Sequence, residues 1–165
     1  TAATRALDLP LPPAAIELFS EGRVLARFFG SRDAVNRTVA ELEWKDADSS
    51  VWAEHSKRCP ESWARITVPR HALREILTSL PQGARWWASP GTGIAHWSFE
   101  DSDAVRSARA AAERAQGTLV LLNAPGEIVS KVGAWGTPPK TLQLMGRLKQ
   151  AFDPTGILNP GRFLV

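Results

Sequence analysis

Residues 84–99 read Ala84-Arg85-Trp86-Trp87-Ala88-Ser89-Pro90-Gly91-Thr92-Gly93-Ile94-Ala95-His96-Trp97-Ser98-Phe99. Two short aromatic runs flank a Ser-Pro-Gly-Thr-Gly punctuation. Proline fixes φ and glycine accepts positive φ, so the punctuation turns the chain. The flanks carry the residue types that suit a pleated, half-buried strand. The stretch predicts an antiparallel hairpin. A hairpin set between helical patterns predicts an α+β layer pair, with helices on one face of an antiparallel or mixed sheet.

Working outward, Ala64-Arg65-Ile66-Thr67-Val68 alternates and reads as a strand. After Pro69, the spacing of Leu73, Ile76, Leu77 and Leu80 predicts a helix closed by Pro81 and Gly83. On the other side, Asp101 or Ser102 caps an Ala-rich helix over 104–116, with Gly117 expected at the C′ position. Residues 118–123 form an apolar strand ended by Pro125 and Gly126, and a loop follows. Nearer the start, residues 23–29 read as a strand closed by Gly30, and Ser31 caps a helix reaching about Trp44. A polar break over 45–50 leads to a short helix over 51–58. A last helix spans 140–152 and a turn-rich tail closes the chain. The order is strand, helix, strand, helix, strand, strand, helix, strand, helix. It predicts a ferredoxin-like antiparallel sheet with helices packed on one face, plus a C-terminal helix and tail.

The chain has 165 residues, enough for one self-sufficient core. Its single Cys, Cys59, excludes a disulfide framework and any multi-Cys zinc or iron–sulfur centre. It contains no Tyr, and its three His stand at 55, 71 and 96, without metal-ligand spacing; no metal is expected. The net charge of +3 comes from Arg residues set singly beside acids, as in Arg106, Arg109, Glu113 and Arg114, so no nucleic-acid surface is expected. No apolar run is long enough to cross a membrane, and residues 1–9 lack a secretory pattern. Gly91-Thr92-Gly93 sits between strands rather than opening a helix, so it is a turn and not a phosphate cradle. Cys59 carries no nucleophile signature.

Two places hold chemistry. His96 lies mid-strand with Ile94 and Ser98 on its face, and it either fills a core or lines a ligand cavity. Arg85 and Trp87 on the partner strand are candidates to share that face, and an Arg there suits a carboxylate through paired hydrogen bonds. The second place is the tail, Phe152-Asp153-Pro154-Thr155-Gly156-Ile157-Leu158-Asn159-Pro160-Gly161-Arg162. Chain ends usually fray, yet this one has two Pro/Gly turns that set an Asn and an Arg at fixed positions.

That tail, with Leu148-Lys149 before it, resembles the C-terminal signature of FAD-linked oxidases of the vanillyl-alcohol-oxidase class. Ala134-Trp135-Gly136, Pro138-Pro139 and Met145 are similar to the FAD-binding E subunit of bacterial glycolate oxidase. The resemblance implies a cap or substrate domain spanning residues 14–165. Residues 1–13, with Pro10, Pro12 and Pro13, would then be an extended linker in polyproline or β conformation, entering from an upstream FAD-binding domain; the chain begins without Met. It implies FAD held mainly by that upstream domain, with Asn159 and Arg162 against the flavin or its domain. The implied activity is oxidation of a small 2-hydroxy acid, inactive in this piece alone. The implied partners are other glycolate oxidase subunits, an iron–sulfur subunit among them, in the cytoplasm and peripheral at the inner membrane through those subunits. D-2-hydroxyacid dehydrogenase relatives carry a Gly-His-x-Gly-Asp-Gly-Asn-x-His metal run; the stretch 91–99 keeps only His96 of it. A non-enzymatic ferredoxin-like module binding small ligands through Arg85, Trp87 and His96 is the alternative.

Overall fold

The computed structural model describes residues 2–161 and 164. In chain order these form α1 (Ala2–Leu7), β1 (Ala15–Phe19), β2 (Val24–Arg27), α2 (Arg32–Leu42), α3 (Ser50–Ser56), β3 (Trp63–Thr67), a 3-10 turn (Arg70–Ala72), α4 (Leu73–Ser79), β4 (Trp86–Ser89), β5 (Ile94–Ser98), α5 (Ser102–Arg114), β6 (Thr118–Asn123), α6 (Gly126–Val132) and α7 (Leu142–Phe152).

The hairpin forms as the turn chemistry requires. β4 and β5 pair antiparallel, with Trp86 opposite Trp97, Trp87 opposite His96 and Ala88 opposite Ala95. Gly93 closes the turn at φ 75°, where a Cβ would stand 2.1 Å from the Val68 carbonyl oxygen. The Gly93 carbonyl then accepts the Val68 N–H at 2.9 Å, which locks the turn onto the strand beside it.

β3 lies next to β5, and β6 next to β3. The sheet runs β2-β1-β4-β5-β3-β6, every neighbour antiparallel. The α+β class and the antiparallel sheet are as the sequence predicts. The unit β3-α4-β4-β5-α5-β6 has the split order of a ferredoxin-like sheet. The β1–β2 hairpin extends it beyond β4.

Alternation divides the residues between two faces. One face presents Ala64, Ile66, Ala95, Trp97 and Leu119 to Leu73 and Ile76 of α4 and to Val105, Ala108 and Ala112 of α5. Trp97 is 1% exposed and is the largest of the fully buried side chains. Burying side chains of this kind contributes about 1.5–3 kcal/mol each, so this layer carries the fold. The β1–β2 end of the same face is closed by Ala3 and Ala6 of α1 and Leu42 of α2 over Ile16. α3 breaks the one-face pattern: its Val51 and Trp52 pack with Phe19, Leu25, Trp87 and Trp63 on the opposite face.

Four other expectations change. Residues 2–7 are a helix and not an extended strap. Alanines favour helix, and the prolines that prompted the extended reading all follow it. Arg5 Nη2 donates to the Glu41 carbonyl at 2.7 Å and ties α1 to α2. β1 was not anticipated at all, and the strand expected over 23–29 is confined to Val24–Arg27. The expected loop after Gly126 contains α6, with Pro125 as its N-cap. At the end of α5 the left-handed residue is Gln116, at φ 59°, and not Gly117. The Gln116 N–H bonds the Glu113 carbonyl and the Gly117 N–H bonds the Ala112 carbonyl, the paired closure of a Schellman motif. Gly117 is glycine for space: a Cβ would stand 2.3 Å from the Thr67 carbonyl oxygen.

Candidate functional site

The face away from α4 and α5 is where the sheet meets solvent. Strand register lays one row of side chains across it: Phe19, Trp87, His96, Arg65 and Val120, from β1, β4, β5, β3 and β6. Trp63 stands two residues from Arg65 on β3 and therefore on the same face.

Rings dominate the middle of this face. His96 stacks on Trp87 with centroids 5.0 Å apart, and Trp63 stacks on Trp87 at 5.7 Å. Trp63 also meets His96 at 5.3 Å. From α3, His55 points an edge at Trp87 and another at Phe19, 5.9 Å and 5.3 Å away. The guanidinium groups of Arg23 and Arg58 lie over the Phe19 ring at 4.2 Å and 5.2 Å.

This environment sets the charge states. Burial, then the positive charge of Arg65, then His55, pull the His96 pKa down to about 4, so its imidazole is neutral at pH 7. Burial, then Arg58 and Arg23, lower that of His55 as well. Glu17 on β1 shifts the other way, raised by burial and only partly offset by the Ser89 hydroxyl, which donates to its Oε1 at 2.6 Å. Glu17 Oε2 and His55 Nδ1 are buried and make no hydrogen bond. A neutral imidazole offers one donor and one acceptor, and Arg65 offers a fixed cationic fork. Among the described residues no group of three or more His, Cys, Asp or Glu is arranged to hold a metal.

The structure joins Trp87 and His96, two of the three pocket candidates. Arg85 lies one residue before β4 with its side chain exposed, and its carbonyl accepts the Ser98 N–H at 2.9 Å. It borders a cavity of about 730 Å³ at one end of the sheet, with Arg58, Cys59, Trp86 and Trp87; His96 is not in its lining. The cation directly opposite His96 is Arg65. Sequence reasoning passed over Arg65, although its outward place in an alternating strand was visible; what was missing was the pairing of β3 with β5.

The tail is a second site. Asp153 is buried, and its Oδ1 accepts the Ile157 N–H at 2.9 Å. Its Oδ2 accepts the Leu158 N–H at 3.0 Å and pairs with the Lys149 ammonium. Lys149 Nζ also donates to the Leu158 carbonyl at 2.8 Å. The hydrogen bond from Lys149, foremost, holds the Asp153 carboxyl below its ordinary range. The knot folds residues 154–158 back beside α7. Leu144, Leu148 and Phe152 of α7, with Ile157 and Leu158 of the tail, stay exposed, Phe152 at 81% and Ile157 at 73%. Asn159 follows, exposed and left-handed at φ 49°. Arg162 lies outside the described residues.

A buried arginine fastens the approach to this segment. Arg109 of α5 donates to the carbonyls of Val132 and Gly133, the latter at 2.9 Å. Nearby, the Leu121 N–H of β6 donates to the Ala134 carbonyl at 2.8 Å. The segment is thus continuous with the ferredoxin-like core.

Residues 133–163 match the family described as FAD linked oxidases, C-terminal domain. The match covers less than half of the chain, beginning at the turn that Arg109 holds and ending in the tail. It supports a flavoprotein oxidoreductase domain that uses FAD. No curated protein matches the chain.

Proposed function

We propose that this chain is the cap-type C-terminal domain of a flavoprotein oxidoreductase of the glycolate-oxidase kind, oxidising a 2-hydroxy acid with FAD bound mainly by an upstream domain. The observation that supports it most is a coincidence of place. The family match falls on the segment that carries the exposed Leu144, Leu148, Phe152, Ile157 and Leu158. Exposed apolar surface of this kind marks a contact with another protein surface. The upstream FAD-binding domain is the partner in this reading, and the iron–sulfur subunit of such an assembly lies further along the electron path.

The chain fits FAD as an edge and not as a cradle. It has no glycine loop opening a helix for the phosphates. What it offers is the tail, fixed by Asp153 and Lys149, which presents Asn159 from a left-handed residue. Bound FAD supplies the hydride acceptor. This chain's own residues bind and orient. Asn159 and Arg162 meet the flavin or its domain, the apolar platform seals the joint against water, and the ring-lined sheet face bounds the substrate side.

Flavin content of the full-length protein tests this. The purified protein is expected to be yellow, with Asn159→Ala and Arg162→Ala each retaining less flavin while this domain stays folded by circular dichroism. A colourless full-length protein overturns the reading. Full flavin retention by both variants removes the tail from the site.

A further inference from the structure

The row Trp87–His96–Arg65 sets a flat ring surface beside a cation on an uncovered sheet face. Arg65 is exposed and makes no ion pair or hydrogen bond among the described residues. Its fork matches the two oxygens of a carboxylate. It is the only charged side chain in the row, because His96 beside it is kept neutral. The nearest other cations, Arg23 and Arg58, sit over Phe19 at the far end of the row. Glu17, the half-buried acid of the face, is engaged by Ser89, and burial disfavours its charge. The face therefore complements a single negative charge placed at Arg65.

The rings say what accompanies that charge. Trp63, Trp87 and His96 meet pairwise at 5.0–5.7 Å and form one continuous plate. A two-carbon hydroxy acid bound at Arg65 leaves this plate uncovered. An acid with an aromatic substituent covers it and gains stacking.

We propose that this face seats an aryl-bearing 2-hydroxy acid, its carboxylate on the Arg65 guanidinium and its ring against Trp63 and His96. The hydroxyl in this assignment rests on the flavoprotein reading above; the carboxylate and the ring rest on the sheet face alone. The neutral His96 imidazole meets the hydroxyl with one donor and one acceptor.

Calorimetric titration of the 165-residue chain with racemic mandelate, glycolate and benzyl alcohol tests it. Mandelate is expected to bind about tenfold or more tighter than glycolate, the gain of one stacked ring. Benzyl alcohol, which lacks the carboxylate, binds still more weakly. Arg65→Gln lowers mandelate affinity about tenfold or more by removing a charged hydrogen-bond pair, and Arg65→Lys restores part of it. Trp63→Leu narrows the gap between mandelate and glycolate and leaves glycolate unchanged. Arg65 is exposed, so circular dichroism should show its variants folded. Equal affinity for mandelate and glycolate overturns the inference. So does no binding of mandelate, or unchanged affinity in Arg65→Gln. Flavin content of the full-length protein reports separately on the wider reading. A yellow protein whose chain ignores mandelate sinks only this inference; a colourless one whose chain binds mandelate sinks only the flavoprotein reading.

Discussion

The two faces of the sheet are built by the same strands and obey different rules. In β5, Ala95 and Trp97 are sealed under α4 and α5, while His96 between them faces rings and water. In β3, Ile66 is buried and Arg65 beside it is exposed. The covered face is held by volume and tolerates no charge. The open face is held by the covered one, so it is free to carry a cation, two histidines with lowered pKa values and a half-buried acid. The teaching is that stability and chemistry are separable here residue by residue, at a period of two.

Substitutions sharpen that separation. Trp97→Ala is expected to cost about 3–5 kcal/mol in urea unfolding, as large-to-small changes in a packed core do. Trp63→Ala, on the open face, should cost clearly less; equal losses in the two variants would break the contrast. Gly117→Ala pushes a Cβ against the Thr67 carbonyl oxygen and should cost about 1–3 kcal/mol by overpacking.

Acid should act through the open face. His96 has an ordinary pKa of 6.5 when unfolded and titrates near 4 when folded. Between those values the unfolded chain takes up a proton that the folded chain refuses. Stability is therefore complete above about pH 6.5, falls as the pH drops toward 4, and then levels. With the ring half open to water, the loss should be about 1–2 kcal/mol. His55 acts in the same direction. Unfolding midpoints measured from pH 7.5 to 4 check this, and His96→Gln should flatten most of the slope. The smallest effect belongs to Arg65→Ala, expected within about 0.5 kcal/mol of the parent, as for exposed positions without partners.

The covered face was also the legible one. Alternation over 64–68 and 94–99, with the turn between 89 and 94, was enough to place the hairpin and the neighbouring strand. β1 escaped because both of its faces bury apolar residues, Ile16 on one and Phe19 on the other, so no alternation stood out. α6 escaped because Pro125 and Gly126 read as a stop, although proline is tolerated at a helix start. The open site was half legible. His96 and Trp87 belong to one hairpin, and a local turn fixes their partnership. Arg65 comes from a strand about thirty residues upstream, and its place beside His96 depends on long-range pairing that local spacing does not encode. The tail motif was visible residue by residue, but the Lys149–Asp153 knot depends on the chain folding back on α7.

The bond from the Leu121 N–H to the Ala134 carbonyl has a consequence for solubility. β6 is an edge strand, and an edge offers unpaired N–H and C=O groups to any passing strand. Ala134 occupies one of those donors, and Arg109 holds the carbonyls just before it on the body of the protein. The segment leading to α7 thus acts as a guard rail along the sheet. Cutting the chain after Asn123 would leave the six strands in place and expose an edge ready to recruit a second sheet, so the first sign of losing this segment would be aggregation.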